Sequence, residues 1–273
     1  MMTSLSSAVS GLDAFQQQMD IIGNNIANIN TTGFKSGTGN LVDSFSDTLQ
    51  GATISGANGT TDAMQLGTGV TTASITSDWS TGVINPTNNN NDLAINGNGF
   101  FLVQDSNSNT YVTQDGTFGL VQTSSSAANL VTTGGLNVLG SNGKPISLPI
   151  TNASGSPMST WTVNSTGAIT VTYADGTTAN GGQLGVENFT NPQALVSQGD
   201  NLYNNMANAG PGGVVNPGSN GTGTIEQGAL ELSNVNLSSE MASLITAQRG
   251  FEANSKIVTT SDEVLQDSVQ MKR

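Results

Sequence analysis

A chain of 273 residues with 19 acidic and six basic side chains, a net charge of −13 and neither cysteine nor histidine leaves few chemistries open. Between Lys35 and Arg249 only Lys144 is basic, so no positive stripe can displace counterions from a phosphate backbone or rest on anionic lipid; nucleic acid and membrane surfaces are excluded as partners. The missing thiols and imidazoles exclude disulfides, the usual zinc ligand sets and both Ser-His-Asp and Cys-His catalysis.

The remaining composition, 9% charged and 35% hydrophobic with 34 glycines, suits β-structure with many turns. No run is long and apolar enough to span a bilayer, which argues against membrane insertion. Met1–Gly11 is interrupted by Thr3, Ser4, Ser6, Ser7 and Ser10 and lacks the basic and apolar regions of a secretory signal. Export by a dedicated route that reads an unfolded N-terminus, without cleavage of a signal peptide, is the expectation.

In the first thirty residues, Leu5, Ala8, Leu12, Phe15, Met19, Ile22, Ile26 and Ile29 follow one another in alternating steps of three and four, the a/d seam of a coiled coil. This predicts a helix capped by Ser4 or Ser6, running to about Asn28 and stopped by Thr31-Thr32-Gly33. The seam is too narrow for an ordinary core helix and fits one packed against other helices, copies of itself included. Residues 31–77 read as a transition segment, with Leu41, Val42, Phe45 and Leu49 in a short amphipathic turn and 51–69 as loop.

From Val70 the period changes to two. Leu93–Val103 reads as strand–turn–strand, and further short strands separated by Gly-rich turns make 78–190 an antiparallel β-domain. Residues 191–234, with Pro192, Pro211 and Pro217, form a return segment expected to run extended. Residues 235–273 give a second helix, capped by Ser238 or Ser239, with Glu240 near its start and Lys272 and Arg273 at its end suiting the dipole. Its seam runs Leu237, Met241, Leu244, Gln248, Phe251, Ser255, Val258, Asp262, Leu265, Val269. The fold class is α+β: paired N- and C-terminal coiled-coil helices around a central antiparallel, mainly-β domain. The candidate subunit-packing residues are Leu5, Leu12, Met19, Ile22, Ile26, Ile29, Leu237, Met241, Leu244, Phe251, Val258, Leu265 and Val269.

No motif carries chemistry. Lys144 follows Gly143, but Val138 stands where a phosphate-cradling loop needs glycine. Gly97-Asn98-Gly99 precedes a strand and lacks the third glycine of a dinucleotide fingerprint. Asp105–Asn109 opens like a calcium loop but has Thr110 and Gly116 at the sixth and twelfth positions, and reads as a solvated hairpin tip. Asp105 with Asp115 is the best carboxylate pair, yet both flank predicted turns, where aspartate serves the backbone. No catalytic residue, cofactor or metal is expected.

Ser7–Leu12, Met19–Asn28 and Thr31–Ser36 resemble the amino-terminal motif of bacterial flagellar rod and hook proteins. The similarity continues through Ala94–Val103, Tyr111–Phe118, Asn188–Tyr203, Gln227–Leu237 and Ala247–Asp262. It implies a subunit that self-assembles into a hollow helical tube of the flagellum, transmits torque and lets export cargo pass. It also implies neighbouring rod, hook and hook-associated proteins, and the flagellar export apparatus, as partners. Ile22–Asn28 and Ser36–Leu49 look more like a hook subunit, whereas the brevity after Gly140 looks like a distal rod subunit. A short hook subunit is the first expectation and a distal rod subunit the alternative. A secreted adhesin or carbohydrate-binding β-protein is the reading from another class; it predicts a pocket lined by aromatics, which make up 5% of the chain.

Overall fold

The helix-forming run Leu-Asp-Ala-Phe-Gln-Gln-Gln-Met lies inside a first helix, α1 (Met2–Ala27), which ends where asparagine and threonine begin to compete for backbone hydrogen bonds. The Thr31 N–H bonds to the Asn28 carbonyl, and Gly33 then turns the chain with φ of 68°. In this computed structural model residues 2–50, 53–55, 59–61, 63–204 and 206–271 are described. They divide into two compact units: residues 1–27, 37–78 and 236–273, and residues 28–36 with 79–235.

The first unit holds α1, six strands and the C-terminal helix. The strands β1 (Gly37–Asp43), β2 (Ser46–Gln50), β3 (Thr53–Ser55), β4 (Gly59–Thr61), β5 (Met64–Gly67) and β6 (Val70–Ser77) pair as nested antiparallel couples. β1 meets β6 from Gly37↔Ser77 to Asp43↔Val70, β2 meets β5, and β3 meets β4. From Gly37 on, the span expected as transition and loop is therefore, in its described residues, a two-stranded ribbon of three nested couples. Its strands are short and rich in Gly, Ser and Thr, and β2 and β5 are exposed throughout, so no apolar alternation announced them.

In the second unit follow β7 (Ile84–Pro86), β8 (Leu93–Asn96), β9 (Phe100–Gln104), β10 (Thr110–Thr113), β11 (Phe118–Ser124), β12 (Ala127–Thr132), β13 (Asn137–Val138) and β14 (Ser147–Pro149). Then come β15 (Met158–Val163), β16 (Ala168–Tyr173), β17 (Thr178–Gln183), β18 (Val186–Phe189), β19 (Val196–Gly199), β20 (Leu202–Asn204), the short α2 (Met206–Ala209), β21 (Pro211–Val215), β22 (Thr224–Gln227) and β23 (Ala229–Glu231). The main sheet runs β11-β12-β13-β9-β10-β20-β19, with β14 on β12 and β18 joining β9 to β21. β15-β16-β17 form a second sheet, and β8–β22 and β7–β23 are separate pairs.

β9 is the centre. Phe100 to Val103 are all buried, with Phe101 and Val103 facing the larger core and Phe100 and Leu102 the smaller, as the two-residue period requires. β8 and β9 are not a hairpin: the Gly97–Gly99 turn (φ of 120° and 143°) carries the chain from β22's partner to the main sheet. Residues 191–234 are not an extended strap either. They supply β19 to β23, short strands of which β19 and β20 form a local hairpin, while β20 also pairs with β10, β21 with β18, β22 with β8 and β23 with β7.

The C-terminal helix, α3 (Leu237–Gln270), is capped by Asn236, whose side chain accepts from the Ser238 and Ser239 N–H groups at 3.0 and 3.2 Å. The cap is thus one turn-former ahead of the serines expected to provide it. Glu240 lies in the first turn, while Lys272 and Arg273 fall outside the described residues.

Candidate assembly interface

α1 and α3 pack together within the first unit. A side chain at Gly11 would strike Asn254, and one at Gly250 would stand 2.5–2.8 Å from three atoms of the Phe15 ring. The two pairings move in opposite directions along the chains, so the helices are antiparallel. They approach closely at Gly11 and Gly250, and the small residues Ala8, Gly11 and Ala14 of α1 and Ala247 of α3 are buried.

The ribbon closes a further side of α1. Asn25 imitates a paired backbone, donating to the Gly37 carbonyl at 2.8 Å and accepting its N–H at 2.9 Å. Ser10 Oγ accepts the Val70 N–H at 3.2 Å. Ile21 lies against Gly37 and Gly39, and a side chain at Gly39 would stand 2.8 Å from its Cδ1.

These contacts sort the thirteen candidate packing residues. Ile22 is 4% exposed and serves the chain's own packing. Leu5, Leu12, Met19 and Ile26 are half-buried on α1, and Leu244, Phe251 and Val258 half-buried on α3. Ile29, also half-buried, lies beyond the end of α1 and in the second unit. Leu237 and Met241 are each 44% exposed, Leu265 37% and Val269 69%. Because α3 has 34 residues and α1 26, the helices cannot pair throughout; from Asp262 to Gln270 every residue of α3 is exposed. The heptad reading missed Val9, Ile245, Ile257 and Val264, which are exposed beside the seam, and the ribbon's Phe45, Leu49, Met64 and Ile75. At 100° per residue, Ile257 and Val264 share one flank of α3, a seven-residue repeat legible beside the principal seam.

In the second unit the structure separates Asp105 from Asp115, at opposite ends of β10. Asp105 accepts from Ser106 and Asn107 within the hairpin turn, while Asp115 accepts from Thr32 and Thr117 hydroxyls at 2.9 and 2.7 Å. Both serve turns. The Thr177 hydroxyl and N–H hold Asp175 down at about 2, another turn carboxylate. Burial pushes Glu187 and Tyr203 up. A cavity of about 190 Å³ is lined by Trp79, Phe100, Gln114, Asn188 and Phe189 among others. Trp79 Nε1 and Gln114 Oε1 lack partners among the described residues but are closed off from solvent, so in this conformation they offer a ligand no handle.

The described side chains contain one ion pair. Lys35 Nζ lies 2.7 Å from Glu231 Oε1, the two side chains being 1% and 3% exposed. Lys35 also donates to the Ser80 carbonyl at 2.8 Å, and the same Glu231 oxygen accepts the Gly82 N–H at 2.7 Å. Glu231's own carbonyl accepts from Gly33 at 2.9 Å, and Asn234 joins the Ser36 N–H to Ser80. Nothing local in the sequence links residues 196 apart.

Comparison with known proteins agrees with this reading of helical ends around a β-rich unit. Residues 5–35 match the family described as flagella basal body rod protein, 94–171 the flagellar hook protein FlgE/F/G D1 domain, and 226–271 the flagellar basal body rod FlgEFG protein C-terminal region. The chain is 42% identical to flagellar basal-body rod protein FlgG of Bacillus subtilis (strain 168), covering all of both chains. It is 38% identical to FlgG of Buchnera aphidicola subsp. Baizongia pistaciae (97% of this chain, 98% of the relative), and 33% identical to flagellar hook-basal body complex protein FlhP of Bacillus subtilis (97% of each). No helix among the described residues is long and apolar enough to cross a membrane. The chain belongs to the flagellar basal-body rod and hook protein family, whose members are structural components of the flagellum and not enzymes.

Proposed function

We propose that the chain is a distal rod subunit, polymerising into the hollow helical shaft that carries torque from the basal body to the hook. The carrying observation is the end-to-end match, at 42% identity over all of both chains, to a protein named for the basal-body rod. Rod position thereby takes precedence over the hook expected first. Self-assembly would use the faces α1 and α3 leave open: Leu237, Met241, Leu265 and Val269 directly, and the half-buried Leu5, Leu12, Met19, Ile26, Leu244, Phe251 and Val258 at the margins. A subunit repeating one such contact without closure makes a filament. Its neighbours would be other rod and hook proteins, and it would be delivered by the flagellar export apparatus.

Disrupting the gene and imaging isolated basal bodies tests the position. Rods ending short and without hooks, restored by a tagged copy whose label lies on the rod below the hook, are expected. Complete rods in the disrupted strain, with label along the hook, would return the chain to the hook.

A further inference from the structure

The chain passes between its two units after residues 27, 36, 78 and 235. Three of these four passages lie within four residues of a single polar network in the second unit, built on the buried Lys35–Glu231 pair and extending through half-buried Asn234 to exposed Ser80. Lys35 and Ser36 precede the passage at 36, Ser80 follows the one at 78, and Glu231 and Asn234 precede the one at 235. We propose that Lys35, Glu231 and Asn234 form a clamp that ties the three exits to one another, so that pull or twist arriving along any of them is shared by all. The mechanical part of this reading rests on the proposed role in a torque-carrying shaft; the clamp itself does not.

The chemistry suits a clamp better than a core contact. The segments it joins have little regular structure of their own: residues 31–36 lie outside any strand and are otherwise tied through Thr32 to Asp115 and Asn201, residues 79–82 are irregular and otherwise anchored by Trp79 on Phe100 and Tyr203, and β7–β23 is a three-residue pair. Two-stranded pairs this short are not stable alone. An ammonium and a carboxylate removed from water at this distance hold each other tightly, and parting them leaves a buried charge unpaired. Each partner also grips a backbone from a different segment: Lys35 the Ser80 carbonyl, Glu231 the Gly82 N–H, with Asn234 spanning Ser36 and Ser80. An apolar pair of the same volume could fill the space but could not hold these backbone groups in register.

Hydrogen exchange on the full-length monomer tests the clamp without recourse to assembly. In Lys35→Met the amides of Gly33, Ser36, Gly82 and Leu232 are expected to exchange at least tenfold faster, with Phe101, Leu130 and Val186 unchanged. Lys35→Met with Glu231→Gln removes the stranded charge yet keeps an acceptor for Gly82. Its Gly82 is expected to recover protection while Ser36 stays fast. Loss of protection spread equally over the β9 core, or no change at the four amides, would overturn the proposal. If exchange behaves as expected and Lys35→Met cells, with normal rod numbers, still swim like wild type at high viscosity, the clamp stands and its mechanical role falls.

Discussion

Glu187 on β18 is 5% exposed, pairs through its strand with Phe100, and is without a cation among the described residues, accepting only the Gly213 N–H. Burial raises its pKa from 4.5, so the folded state holds a proton more readily than the unfolded chain. For an acid shifted this way, the contribution to stability is full below about 4.5 and is lost as pH rises through the folded value. Glu187→Gln keeps an acceptor and drops the charge. It is expected to raise Tm at pH 7, with the gain shrinking to nothing below about pH 4, as thermal melts across pH would read. Gly250 poses the opposite problem, because the Phe15 ring occupies the space a side chain would need. Gly250→Leu forces that ring out and should cost about 1–3 kcal/mol, as overpacking does, with exchange accelerated along α1 and α3 but not in the β9 core.

At the scale of elements, the last turns of α3 are exposed at every position from Asp262 to Gln270. Deleting residues 262–273 should leave the melting of the monomer within about 0.5 kcal/mol, since exposed positions cost little, yet abolish polymerisation seen by negative-stain microscopy. Loss of monomer stability comparable to Gly250→Leu would show that the overhang is not free. Sequence periodicity exposed both long helices because their apolar steps recur over many turns. Its seams included Ala8 and Phe15 but passed over Gly11, Ala14 and Gly250, small residues off the apolar repeat that allow close approach. The hairpin tip at Asp105 was legible, since its signals are local. The ribbon apart from β6, the Asn236 cap and the clamp were not: β2 and β5 are exposed throughout and show no alternation, and the clamp joins residues brought near only by the finished fold.

Taken as a whole, the molecule carries −13 charges with few cations to answer them. Copies approaching each other therefore repel at low salt, and screening shortens that repulsion to about 10 Å at 0.1 M. Association of the purified chain is expected to strengthen between 10 and 150 mM salt, measured by sedimentation velocity; weakening over that range would mean that cross-subunit ion pairs outweigh net repulsion. The ribbon adds a different kind of freedom. Its couples are nested, with Gly37↔Ser77 at the base and Ser55↔Gly59 the outermost described pair. A matched pair of residues added on each arm beyond that point keeps every inner register and every contact with α1, because side chains repeat on the same face every second position. Reach can thus vary in steps of about 7 Å while the helices that polymerise stay unchanged. Related subunits built on one shaft geometry could differ in length of arm alone, and insertions tolerated between Ser55 and Gly59 would be an inexpensive evolutionary route to a new neighbour.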